Sequence, residues 1–339
     1  MASKPIVLVT GATGFLGSHV VSQLLAQNIY TIRAAVRSPS KLRAMFPDAS
    51  EDSLLVGEIS DLTSDLSGVL RGVSAVIHTA SPLYFKGESS KDIFEGVYQG
   101  TIQIVEQAIA AGIKKIIVTG TAVSLFDADL KTAFGSKLLT EKDFGSITSI
   151  DDIDLSNPNT PATYQAAKTC AEKKVWEIAN QHPDVDVTVI IPPAIFGPNV
   201  PNFPAVSRAS LSTNDCVYSL ILNGQDTYPP VPFGQMVDVR DAARAHVAAL
   251  SAPPIPGRDK RFLVSSGIFT WKGFADHLRK EKPELKDRLP REGLVQTLQQ
   301  TNAPMDTEFT KEALGIKEYI KIEQTALEAL NACMVLEKK

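Results

Sequence analysis

The chain has 339 residues, 44% of them apolar and 21% charged, with a formal net charge of -4. That balance suits a soluble protein with one large α/β domain and a smaller lobe, and lacks the basic footprint of nucleic-acid binding. No run of about 18 apolar residues offers a membrane span. Cys170, Cys216 and Cys333 form no C-x-x-C pair and leave an odd count, which argues against a zinc site or a disulfide framework and for a reducing compartment. The apolar run at 6–9 is too short for a secretory core, so a cytoplasmic location is expected.

Residues 5–10 read as a fully buried strand, and 15–26 switch to helical spacing with Leu16, Val20, Val21, Leu24 and Leu25 on one face. A second strand is expected at 30–36, and further apolar runs at 53–56, 75–78, 116–119 and 187–191 are separated by helical patterns. Two long covering helices are expected at 89–111 and 161–182, the second with Thr160 as N-cap, Pro161 in its first turn and Pro183 as its stop. Beyond Ile191 come Pro192, Pro193, Pro198, Pro201, Pro204, Pro229, Pro230 and Pro232, read as lobe loops with one helix near 205–214. The segment 236–250 looks helical from Asp241 onward, 261–264 reads as a last strand, and 271–339 as helical and charged. Strands alternating with helices imply a parallel sheet covered on both faces.

Gly11, Gly14 and Gly17 give G-x-x-G-x-x-G directly after a strand and at the opening of a helix, a departure from the G-x-G-x-x-G spacing with the same physics. Glycine permits the tight turn, and the backbone of Thr13, Phe15 and Leu16 would present N–H groups to a pyrophosphate. The plain alternative is a glycine-rich turn that binds nothing. The expected fold class is therefore α/β, a Rossmann-type doubly wound parallel sheet formed by 1–191 plus about 236–265. A smaller, mostly helical carboxyl-terminal substrate lobe would comprise about 192–235 plus 266–339.

An NAD enzyme places Asp or Glu about 20 residues past the glycines to bind the ribose 2′-hydroxyl. Here that place holds Arg37, with Arg33 and Lys41 nearby, and a guanidinium suits a 2′-phosphate. The cofactor expected is NADP(H), unless these residues form only a solvated basic turn. Asp61 and Leu62 follow the third strand, where the carboxylate either accepts from an adenine amino group or caps a turn. His78-Thr79-Ala80-Ser81-Pro82 ends the fourth strand: Thr79, Ala80 and Ser81 are candidates for the ribose and nicotinamide side, and His78 reads as a buried packing histidine.

Tyr164 and Lys168 stand one helical turn apart, so both side chains share a face. Lowering a phenol by roughly 3 units takes about 4 kcal/mol, and one ammonium at about 4 Å supplies a comparable amount at an effective dielectric near 20. Thr121, with Ser124 as second choice, is the candidate hydrogen-bond donor to a substrate oxygen; either hydroxyl would alternatively close the turn after the fifth strand.

These segments resemble the extended short-chain dehydrogenase/reductase superfamily, specifically its branch of dihydroflavonol reductases, cinnamoyl-CoA reductases and yeast-type aldehyde and ketone reductases. The match runs through Thr10 to Gly17, Val36-Arg37-Ser38, the segment from His78, Tyr164 to Lys168, Pro192-Pro193-Ala194-Ile195-Phe196-Gly197-Pro198, and 237–246. The resemblance implies a Thr121-Tyr164-Lys168 catalytic set that reduces an aldehyde or ketone with NADPH. Pro192 and Ile195 would lie beside the nicotinamide. The branch usually has Ser-Ser where this chain has Gly120-Thr121, and the tract 126–159 is long. Phe85, Phe126, Phe203 and Tyr228 are candidates for an apolar substrate pocket or for ordinary core. The expected partner is a small-molecule carbonyl, with no metal, nucleic acid or membrane, on a monomer or homodimer. An NAD-retaining sugar-nucleotide epimerase or dehydratase is the nearest rival; Arg37 disfavours it, as does Ala122-Val123 where a dehydratase would carry an acid/base pair. A non-catalytic NADP-sensing regulator is the third reading.

Overall fold

A computed structural model describes residues 3–81, 89–149, 152, 161–204, 207–230, 234–257, 259–296 and 302–338. Its strands are β1 (Ile6–Thr10), β2 (Thr31–Val36), β3 (Leu54–Glu58), β4 (Val73–His78), β5 (Lys115–Thr119), β6 (Asp186–Ile191), β7 (Ala194–Phe196), β8 (Gln235–Asp238), β9 (Lys260–Leu263) and β10 (Gly267–Ile268). Its helices are α1 (Phe15–Gln27), α2 (Pro39–Met45), α3 (Ser67–Leu70), α4 (Ser90–Ala110), α5 (Pro161–Gln181), α6 (Asn214–Tyr218), α7 (Val239–Ala249), α8 (Trp271–Glu281), α9 (Glu308–Leu314) and α10 (Ile322–Met334).

Seven strands form one sheet in the order β3-β2-β1-β4-β5-β6-β9, and every pairing in it is parallel. Period-two alternation along β1 explains why both faces are covered. Val7 and Val9 face a core shared with Val20, Val21 and Leu24 of α1 and with Ala242 and Ala245 of α7. Leu8 faces the opposite core, built with Ile104 and Val105 of α4 and with Val175 and Trp176 of α5. This is the doubly wound sheet expected from the alternating pattern.

A second sheet, β10-β8-β7, was not expected; its strands are too short for periodicity to reveal. It carries a third core, in which Phe196, Phe269, Trp271 and Phe274 meet Ala326, Ala329 and Leu330 of α10. The ring centroids of Phe269 lie 5.1 Å from Trp271 and 4.9 Å from Phe274.

Three further expectations are corrected. The helix expected near 205–214 is instead a 3-10 turn at Arg208–Ser210 followed by α6, because Ser207 and Ser210 bond each other's backbone and Ser212 takes a positive φ of 55°. Helix α7 starts at Val239 rather than Asp241, since Asp238 caps it by accepting the Arg240 N–H. The segment after Trp271 is not helical throughout: Pro283 opens a short 3-10 turn, and 286–307 contains no α-helix among its described residues. Within that segment, Met305 bridges Leu139, and Phe309 packs on Phe262 of β9 at 5.2 Å, so 302–319 lies against the large sheet. Thr160, expected to cap α5, lies outside the described residues.

Trp271 is 1% exposed, so Trp271→Ala removes its packing and leaves a cavity. Urea unfolding should show a loss of about 3–5 kcal/mol. Val295→Ala, at a position 78% exposed, should stay within about 0.5 kcal/mol of the parent.

Candidate active site

The turn after β1 is shaped by contacts that leave no room for side chains. Gly11 has a φ of +70°, and a Cβ there would sit 2.8 Å from the Ala80 nitrogen. A Cβ on Gly17 would meet the Gly11 oxygen at 2.2 Å and Thr79 Oγ1 at 2.6 Å. Gly14 donates its N–H to the Gly11 oxygen at 2.8 Å and begins α1 without a side-chain cap or an acidic first turn. The open helix N-terminus keeps its N–H groups and partial positive charge for an anion. Thr13 is half-buried, while Phe15 and Leu16 send their side chains into the core and have only backbone to offer a ligand.

Thr79 donates its hydroxyl to the Thr10 carbonyl at 2.8 Å, so it shapes the turn, and the Ala80 N–H reaches Thr10 Oγ1 at 3.4 Å. Ser81 follows at the same sheet edge. Arg37 is exposed directly after β2 and has no hydrogen bond or ion pair among the described residues. Arg33 is committed elsewhere, donating to the Val69 and Arg71 carbonyls. Lys41 Nζ lies 5.8 Å from the centroid of the Phe203 ring. Asp61 caps its own turn, accepting from the Thr63 N–H and hydroxyl, and the Thr63 hydroxyl is the main cause holding this carboxyl below its usual range. Of the two roles considered for Asp61, the turn cap is the one the structure displays. Leu62 is half-buried beside Gly100 of α4.

On α5, Tyr164 is half-buried against Ile93, Val97 and Ala167. Lys168 is buried and donates from Nζ to the Thr119 carbonyl at 2.6 Å. Burial brings its ammonium down to about 8, with Glu172 acting in the opposite direction. His246 Nδ1 lies 2.7 Å from the Ala242 carbonyl, which only accepts, so that nitrogen carries the proton; Nε2 lies 2.8 Å from the Thr119 hydroxyl, whose single proton also faces the His78 carbonyl at 3.0 Å. His78 Nδ1 pairs with Thr10 Oγ1 at 2.8 Å. Burial, and then the Lys168 charge, hold His78 at about 3; burial likewise holds His246 at about 4. His78 is thus a buried neutral histidine.

Thr121 accepts the Val123 N–H at 3.4 Å, which leaves its hydroxyl proton free to donate. Ser124 is fully buried and donates to Glu172 Oε2 at 2.7 Å. Its single proton also faces the Thr121 carbonyl at 2.9 Å, so the Ser124 hydroxyl already has two acceptors within the protein. Pro192 accepts the Ala122 N–H at 2.8 Å, and Ile195 is half-buried on β7 opposite Val237 of β8. Phe126 is not a pocket residue: it is 1% exposed within the core behind the sheet. Tyr228 packs on the aromatic core and bonds the Leu294 carbonyl at 3.3 Å, Phe203 stays beside Lys41, and Phe85 lies outside the described residues. Three residues escaped the sequence reading. Glu172 extends the Tyr164–Lys168 face by one more turn, a spacing that was available; Gln165, which donates to the Val123, Phe126 and Asp127 carbonyls, and His246 gave no local signal.

Residues 7–262 match the model of the NAD dependent epimerase/dehydratase family. An uncharacterised oxidoreductase of Schizosaccharomyces pombe is 33% identical over 326 residues, covering 93% of each chain. The NADPH-dependent methylglyoxal reductase GRE2 of Saccharomyces cerevisiae is 29% identical, over 92% of this chain and 93% of that one. The crystal structure of yeast methylglyoxal/isovaleraldehyde reductase Gre2 complexed with NADPH superposes with a TM-score of 0.86 at 25% identity, covering 98% of this chain and 99% of that one.

The two neutral histidines carry a stability consequence. In the unfolded chain they take up protons near their ordinary 6.5, whereas folded they resist to about 3 and about 4. Below 6.5 the unfolded state therefore binds more protons, and stability, full above that pH, falls as the pH drops from 6.5 towards the folded values of about 4 and about 3. Denaturant midpoints at pH 7.5 and 5 should show this loss, and His246→Gln should make it shallower.

Proposed function

The chain belongs to the NAD dependent epimerase/dehydratase family, and from that premise we propose that it is an NADPH-dependent reductase of aldehydes and ketones. The observation that carries the reading is the α5 face: Lys168 is anchored at the end of β5, Tyr164 stands one turn before it, and Thr121 keeps a hydroxyl proton to give. Gly11, Gly14 and Gly17 provide the cradle that a dinucleotide requires, and Arg37, unpaired among the described residues, stands where a 2′-phosphate would be met. Lys41 is the second cation for that phosphate.

When bound, NADPH supplies the hydride. Thr121 donates a hydrogen bond to the substrate oxygen and fixes its direction. Tyr164 gives that oxygen its proton, and in the reverse direction takes one from the alcohol. Lys168, at about 8, is mostly charged near neutrality, so it favours the phenolate and holds the ribose hydroxyls. Ala122 and Val123 stand where an epimerase-type dehydratase would need an acid/base pair, which favours simple carbonyl reduction. The relatives named for methylglyoxal make small 2-oxoaldehydes the first substrates to try. A cytoplasmic location belongs to this reading, supported by three free cysteines.

With methylglyoxal or an aromatic aldehyde, the protein should oxidise NADPH faster than NADH at the nicotinamide absorbance. Tyr164→Phe should lower kcat about 10²- to 10⁴-fold while NADPH still binds; full activity in that variant defeats the mechanism. Arg37→Ala should weaken NADPH binding about 10- to 100-fold and leave NADH binding unchanged, as read by fluorescence titration.

A further inference from the structure

Glu172, Arg261 and Ser124 are 4%, 1% and 0% exposed and form a buried polar cluster behind the site, in which Nη2 of Arg261 has no hydrogen-bond partner among the described residues. Arg261 Nε of β9 donates to Glu172 Oε1 at 2.6 Å, while Ser124 Oγ donates to the other carboxylate oxygen at 2.7 Å. The same guanidinium donates to the carbonyls of Glu141 and Asp143, and lies 3.6 Å from the centroid of the Phe144 ring. Gly145 then donates to the Ser124 carbonyl at 2.8 Å. The carboxylate joins α5 to β9 and to the turn after β5, and the guanidinium and the Gly145 N–H add the stretch 141–145.

A buried ion pair of this kind rarely stabilises a fold more than apolar residues of equal volume. What it does supply is a fixed register between the elements it joins. The elements joined here are the helix that carries Tyr164 and Lys168 and the turn that carries Thr121.

We propose that Glu172, clamped by Arg261 and Ser124, is a positioning residue that sets the Thr121 turn against the Tyr164–Lys168 face of α5. Its negative charge, one helical turn beyond Lys168, is the second part of the role. Lys168 is faced by Tyr164 and Glu172 on its own helix, by the Thr119 carbonyl of β5, by His78 of β4 and by His246 of α7. Both histidines are neutral above about pH 5, so Glu172 is the anion that opposes the effect of burial on Lys168. This inference rests on the reductase reading for its kinetic part and on geometry alone for its titration.

Two variants test it. Glu172→Gln should lower the Lys168 titration midpoint by about half a unit or more, read by carbon-13 NMR of lysine-labelled protein with no substrate present. Ser124→Ala leaves the Glu172–Arg261 pair whole and frees the turn; kcat for carbonyl reduction should fall about tenfold while KM for NADPH holds within about twofold. An unmoved Lys168 titration in folded Glu172→Gln, or a parental kcat in Ser124→Ala, overturns the proposal. If Glu172→Gln does not fold, Ser124→Ala decides alone. A parent protein that reduces no carbonyl sinks the reductase reading instead, and the Lys168 titration then decides this one.

Discussion

Parallel pairing of β1 with both β2 and β4 is the constraint from which the site follows. The chain runs outward from β1 to β3, returns to the other side of β1 at β4, and then continues outward to β9. The loops leaving β1 and β4 therefore part in opposite directions and open a crevice above the carboxyl ends of the strands. Gly11, Arg37, Thr79, Thr121 and Pro192 each follow the end of a strand in this one sheet. Their convergence is a property of the topology; their chemistry is a property of the individual residues.

Within that frame, the cradle depends on backbone approaching backbone. Gly17 lies so near the Gly11 carbonyl and Thr79 that α1 closes on the β1–β4 edge only because no Cβ intervenes. The deeper layer depends on desolvation. Lys168 keeps its ammonium among two imidazoles that burial holds neutral, so neither of them competes with it as a cation. A carbonyl, an anion one turn away and neutral rings thus surround this buried ammonium. The same arrangement explains why the fold tolerates an ammonium that is only 4% exposed.

The parts legible in the sequence were those with a local cause. The change from a two-residue to a helical period at Gly11–Gly17 marked β1 and α1, and counting from the last glycine reached Arg37. Tyr164 and Lys168 were found because helical spacing places them together. Strands β7, β8 and β10 were missed because two to four residues carry no period, and β8 runs straight into α7 without a loop. Ser124 remained open as a donor because its partner Glu172 lies 48 residues away. Phe126 was a pocket candidate for the same reason: nothing in its neighbourhood says that the 3-10 turn before it points it inward. Arg261 entered the sequence reading only as the first residue of the expected last strand, because its partners on α5 and in the stretch 141–145 are distant in sequence.

The return of 302–319 to the large sheet bears on how the chain reaches this state. Ile320 donates its N–H to Asp241 across 79 residues, and Thr325 bonds Asp238 across 87. Phe309 covers Phe262 from the same late segment. Such contacts reward the chain only after a long loop has closed, a search that slows folding far more than it weakens the finished structure. Until the closure is made, Phe262 and one side of α7 remain open to solvent. In this protein the slowest-forming contacts are therefore expected where the last helices meet the cofactor sheet, and an incompletely folded chain would present that apolar face to its neighbours.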